Sequence, residues 1–215
     1  MKNYCFPALF VSLFAGMAAQ ADVVYTNAVD SSSFVSISNS TSSRGQTFTN
    51  TGPTAKIQSV TVYLRNSSGA TGTLKALIRN ITGTPGSSAV VSGTAIATSD
   101  SVTVTGNFTS LSAVTFSFTT PGNDLTANTS YAFAVNAVSL TGTIDLYYGS
   151  QLSDQNPIVL STSPPSADPT NDLAGQVVTV PEPGTLALGG IAAALGGLLC
   201  LLKKWPVVLA RPAAV

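Results

Sequence analysis

Eight aspartates are the only side chains between Asp22 and Val180 suited to exchanging a proton near neutral pH. No histidine occurs anywhere in the 215 residues, and the same stretch holds neither glutamate nor cysteine. Without imidazole there is no ordinary general base, no Ser-His-Asp arrangement and no imidazole metal ligand. Carboxylate chemistry remains, and glycoside hydrolysis would need two carboxyls facing one cleft. Asp100, Asp124, Asp145 and Asp154 stand on separate segments. Aspartate beside Gly, Pro or Asn is ordinary turn chemistry. The chain is therefore expected to carry no catalytic residues and not to be an enzyme.

Two ligand chemistries can be written on these residues. Asn123 and Asp124, or Asp168 with Asp172, offer oxygen ligands of the kind Ca²⁺ takes, but without the ligand density of an EF-hand loop. Tyr147 and Tyr148 beside Asp145 offer a ring and a carboxylate to a sugar. In a regular strand these two tyrosines point to opposite faces, so at most one ring is open for stacking. No resident cofactor is expected.

A third group invites chemistry done to the chain. Pro181-Glu182-Pro183 is followed by residues 185–202 without a charge, then by Lys203-Lys204. The prolines remove two backbone donors and favour an extended, uncovered peptide, the form a processing enzyme requires. Eighteen uncharged residues approach the minimum that crosses a bilayer as a helix, and Gly and Ala give that helix a close-packing surface. Lys203 and Lys204 act as a cytoplasmic stop and place the N-terminal bulk outside. At the other end, Lys2, the apolar run 6–18 and Ala19-Gln20-Ala21 have the form of a signal peptide cleaved after Ala21. The expected partners are thus the Sec translocon, signal peptidase and the inner membrane.

The Pro-Glu-Pro tripeptide, the Gly-rich helix and the basic pair resemble the PEP-CTERM sorting signal of Gram-negative bacteria. The resemblance implies recognition by an exosortase, a membrane-embedded cysteine transpeptidase-like enzyme that cuts near the tripeptide. It also implies a protein exported, held transiently in the inner membrane, then released to the cell surface or extracellular matrix. Such signals usually end soon after the basic cluster, whereas here residues 205–215 continue as a short cytoplasmic tail.

The elements between the two signals read as strands. Val60, Val62 and Leu64 alternate with Thr61, Tyr63 and Arg65; Leu74, Ala76 and Ile78 with Lys75, Leu77 and Arg79. The same period of two runs through Val114-Phe116-Phe118, Tyr131-Phe133-Val135 and Ile144-Leu146-Tyr148. Turn chemistry separates them at Asn66-Ser67-Ser68-Gly69, Thr84-Pro85-Gly86-Ser87, Pro121-Gly122-Asn123-Asp124 and Thr141-Gly142. The expectation is an all-β protein, a β-sandwich with jelly-roll or Greek-key-like connections. Its boundaries are read as signal peptide 1–21, sandwich 22–160, linker and a possible last strand 161–180, and sorting signal 181–204. Gly45-Gln46-Thr47-Phe48-Thr49, Ile57 to Leu64, Gly72-Thr73-Leu74, Phe116-Ser117-Phe118 and Leu125 to Tyr131 are similar to choice-of-anchor ectodomains of the R type. That resemblance implies a secreted β-sandwich with no established activity.

Charge narrows the partners. Five basic against eight acidic side chains leave residues 22–180 at a net −3, and the whole chain is only 8 % charged. No basic patch is available to hold a polyanion, so nucleic acid is not expected as a partner. The hydroxyl-rich surface suits a hydrated exopolysaccharide layer. The expected role is structural, in a cell surface or biofilm-like matrix, with a carbohydrate- or Ca²⁺-binding module as the alternative. Cys5 and Cys200 both lie in the expected signals, so no disulfide can stabilise the part between them. Five Asn-x-Ser/Thr sequences, at Asn39, Asn66, Asn80, Asn107 and Asn128, follow from the Ser/Thr/Asn richness.

Overall fold

The alternating residues do become strands, and they bury one face each. Val60, Val62, Leu64, Leu74, Ala76, Ile78, Phe116, Phe133, Val135, Ile144 and Leu146 are essentially solvent-free. The computed structural model describes residues 20–38, 43–85, 90–120, 124–150, 157–159, 166–167 and 172–182, all within one unit, Gln20–Glu182. Its strands are β1 Asp22–Asn27, β2 Val29–Ile37, β3 Ser43–Asn50, β4 Ala55–Asn66, β5 Thr71–Thr82, β6 Val90–Thr98, β7 Val102–Val104 and β8 Phe108–Ser117. They continue with β9 Asp124–Leu125, β10 Thr129–Thr141, β11 Ile144–Gly149, β12 Pro157–Val159, β13 Ser166–Ala167, β14 Asp172–Leu173 and β15 Gly175–Pro181. Among the described residues none is helical, and no helix there is long and apolar enough to cross a membrane. The signal peptide through Ala19, the helix expected over 185–202, Lys203 and Lys204 lie outside the described residues.

Two antiparallel sheets share one core. The first is built on β4, which pairs β15 along Ala55 to Val62 and β11 at Leu64 and Arg65. Strand β8 pairs with Ser59 to Asn66, residues that overlap both, so it occupies the opposite edge. Strands β15 and β11 therefore follow one another along one edge of β4. Outside them, β1 pairs β15 and β2 pairs β11. The second sheet runs β13-β12-β3-β10-β5-β6, with β7 beside β5. The core takes Phe48, Leu74, Ile78, Tyr131 and Phe133 from this sheet, and Ile37, Val60, Leu64, Phe116, Leu146 and Val177 from the other. Phe48 and Tyr131 are cross-strand partners with ring centroids 6.0 Å apart, and Tyr25 meets Phe133 edge-on at 5.7 Å across the two sheets.

The turns follow the sequence signals. Asn66 closes the β4–β5 turn: its Oδ1 accepts from Ala70 N at 2.7 Å, and its Nδ2 donates to Ala70 O at 2.7 Å. Between β10 and β11, Gly142 has φ +96°, and a Cβ there would lie 2.9 Å from Ala70 Cα, so only glycine fits.

Residues 172–181 form β14 and β15, and β15 runs between β1 and β4 with Val177 wholly buried. Pro181 is the last residue of β15, opposite Ala55, so the tripeptide starts inside the sheet. The reason is local: Gly175-Gln176-Val177-Val178-Thr179-Val180 is rich in β-branched residues and alternates in burial.

Candidate functional site

Strands β2, β11 and β4 lie side by side and carry a cluster on the face away from the core. Register places Phe34 opposite Tyr147, Ser36 opposite Asp145, and Asp145 opposite Arg65. Asp145 is only 7 % exposed, yet both its oxygens are engaged. Ser36 Oγ donates to Oδ1 at 2.9 Å, and Arg65 Nη2 donates to Oδ2 at 3.1 Å. The guanidinium lies 5.1 Å from the Phe34 ring centroid and 5.4 Å from that of Tyr147, and the two rings are 5.7 Å apart. Arg65 is thus held by an ion pair and two cation–π contacts at once.

The sugar candidates separate as alternation requires. Tyr148 turns toward the core and packs against it. Tyr147 faces outward, but with 4 % exposure it is covered, with Phe34 and Arg65 against its ring. The ring open to solvent is Phe34, at 45 %. No periodic signal singled it out, because Ser31-Ser32-Ser33 precedes it and the surrounding run is polar.

The second candidate, Asn123-Asp124, is half seen: Asn123 lies outside the described residues. Asp124 is exposed on β9 with Lys56 Nζ 4.0 Å away. Lys56 also reaches Glu182 Oε1 at 3.2 Å, and Glu182 N donates to Thr54 O at 3.2 Å. Pro181, half-buried, and Glu182, exposed, are thus tied to the start of β4, while Pro183 lies outside the described residues. Ala21 is exposed immediately before β1, and Asp22 pairs with Thr179 of β15. The two expected processing points thus approach one edge of the sandwich. Among the described residues no group of three or more acidic, Cys or His side chains could hold a metal ion.

A buried polar group, not foreseen from sequence, ties the sheets together. Gln46 of β3 donates from Nε2 to Asp172 Oδ1 at 2.7 Å and accepts at Oε1 from Leu173 N at 2.9 Å. The Tyr25 hydroxyl donates to Leu173 O, and Asn27 Nδ2 donates to Ser150 O at 2.9 Å. Burial pushes the Tyr25 phenol far above its ordinary value; the Asn27 hydrogen bond opposes this and the charge of Asp172 adds to it. The group is fully used in holding β14 in place.

No family model matches the chain, and no curated protein matches it in sequence. Among solved structures it is similar to a clostridial cysteine protease, Cwp84 after propeptide cleavage, with a TM-score of 0.52 and 12 % identity. The match covers 77 % of this chain and 41 % of the protease, so the chain spans less than half of that protein's length. An arabinose-bound α-L-arabinofuranosidase, MgGH51, aligns over 71 % of this chain at 14 % identity with a TM-score of 0.32. At such identities the first likeness concerns the fold alone.

Proposed function

We propose that the chain is an exported structural protein of the cell surface or extracellular matrix, sorted through its C-terminus by an exosortase. In this reading its folded part is a non-enzymatic β-sandwich with jelly-roll or Greek-key-like connections. The observation that carries the reading is the order of signals: Ala19-Gln20-Ala21, a β domain, Pro181-Glu182-Pro183, the uncharged run 185–202 and Lys203-Lys204. It is supported by where the strands begin and end. β1 starts at Asp22 and β15 ends at Pro181, so cuts after Ala21 and after Pro181 would leave every strand whole. The sparse charge supports a hydrated polysaccharide setting.

The test is mass spectrometry of the protein made in an exosortase-bearing host. The wild type should begin at Asp22 and lack the segment after the tripeptide. Alanines at Pro181, Glu182 and Pro183 should leave full-length chain in the membrane, and unchanged processing would refute the reading. Lys56→Ala is the control. It removes the same ion pair with Glu182, leaves the motif intact, and should be processed as the wild type is.

A further inference from the structure

We infer that the outer face of β2, β11 and β4 is a binding platform for a neutral sugar residue, with Phe34 as the stacking ring and Arg65, held by Asp145, as the polar contact. Among the described residues Phe34 is the one aromatic side chain that is exposed; Val23 and Val138 are the other large apolar groups in that state. An exposed apolar residue standing alone needs no explanation. Phe34 does not stand alone. It rests on a guanidinium fixed by Asp145 and on a covered tyrosine, so its ring is held in place by groups that are themselves held.

The donors point to the ligand class. Arg65 has five N–H groups, and Asp145 takes one of them through Nη2. Its Nε is shielded from water and has no hydrogen-bond partner. That atom is covered, so the donors left for a ligand oxygen are the Nη hydrogens of the guanidinium, whose side chain is 30 % exposed. Asp145 is buried with both oxygens engaged, so its part is to hold Arg65 in position. An apolar face bordered by hydroxyls is the shape of a pyranose or furanose. Its C–H face fits Phe34 while its rim meets Arg65.

Charge decides between neutral and anionic polymers. Arg65 and Asp145 cancel, and the other cation on β4, Lys56, lies at the opposite end of that strand beside Asp124 and Glu182. A polyanion would find no uncompensated positive charge here. Elsewhere on the same face the paired side chains are hydroxyls, with Thr61 Oγ1 and Thr115 Oγ1 2.9 Å apart. The proposal does not depend on the sorting reading and can fail separately from it.

The test is affinity electrophoresis of the detergent-solubilised full chain. The gels contain neutral polymers (dextran, mixed-linkage β-glucan, galactomannan, arabinoxylan) or anionic ones (alginate, polygalacturonate). At least one neutral polymer should retard the wild type. Phe34→Ala should reduce that retardation at least tenfold while keeping a cooperative melting transition, because the ring lies outside the core. Phe34→Trp should keep or strengthen binding, and Val138→Ala should change nothing. Absence of retardation by every neutral polymer overturns the proposal. So does wild-type binding by Phe34→Ala, or retardation by the anionic polymers alone.

Discussion

Tyr25 is the residue on which alkaline stability turns. Its phenol is neutral in the fold, buried, and hydrogen-bonded to Leu173 O near the Asp172 carboxylate. In the unfolded chain it ionises at about its ordinary value of 10.0, whereas in the fold it holds its proton well above that. The folded state therefore binds more protons above pH 10, and stability must fall as pH rises. The contribution is intact below that pH and is lost at about 1.4 kcal/mol per pH unit above it. Chemical denaturation at stepwise rising pH should show this slope, and Tyr25→Phe should flatten it. A slope unchanged in Tyr25→Phe would place the titrating group elsewhere. The buried asparagines work on the same scale. Asn66, wholly buried, spends its amide on Ala70 O and on Gly106 O at 2.6 Å, so its Asn-x-Ser sequence is closed to glycosylation in the folded protein.

At the scale of elements, β15 decides whether the sandwich exists. Among the described residues it is the one strand with which β1 pairs, and it fills most of one side of β4. Removing residues 172–182 should abolish the cooperative melting transition followed by circular dichroism. If that segment were a linker, the shortened chain would melt as the wild type does. The strands legible in sequence were those with clean alternation, β4, β5, β8, β10 and β11, because a half-buried sheet writes period two into its residues. The sequence around β1, β2 and β15 hid its pattern for separate physical reasons. In β1 and β2, Asn27 and Ser36 face other polar groups, so polar residues occupy sheet positions. In β15 the alternating stretch is short and adjoins the tripeptide, so the sequence shows it as no more than a possible last strand. The candidate site was legible only in part. Asp145 and Tyr147 were readable as neighbours on one strand, whereas Phe34 and Arg65 join them through pairings across 80 residues or more, which no local pattern encodes.

At the scale of the whole sandwich, residues 22–180 contain no cysteine and fold without a disulfide, and the closing contacts are distant in sequence. Asp22 pairs with Thr179, and Tyr25 reaches a carbonyl 148 residues away. Closing such loops costs entropy before the contacts return any stabilisation. Refolding of the isolated sandwich after denaturant dilution should therefore take ~milliseconds to seconds. Stopped-flow circular dichroism measures this, and a microsecond phase carrying the full amplitude would contradict it.

The sandwich also has a direction. Gln20 and Glu182 leave it near Ala55, at the start of β4, while Arg65 and Phe34 lie toward the other end of that strand. Ten residues of extended chain separate Ala55 from Arg65, about 33 Å. The exit point and the aromatic face thus occupy opposite ends of one strand, so either can be altered without disturbing the other.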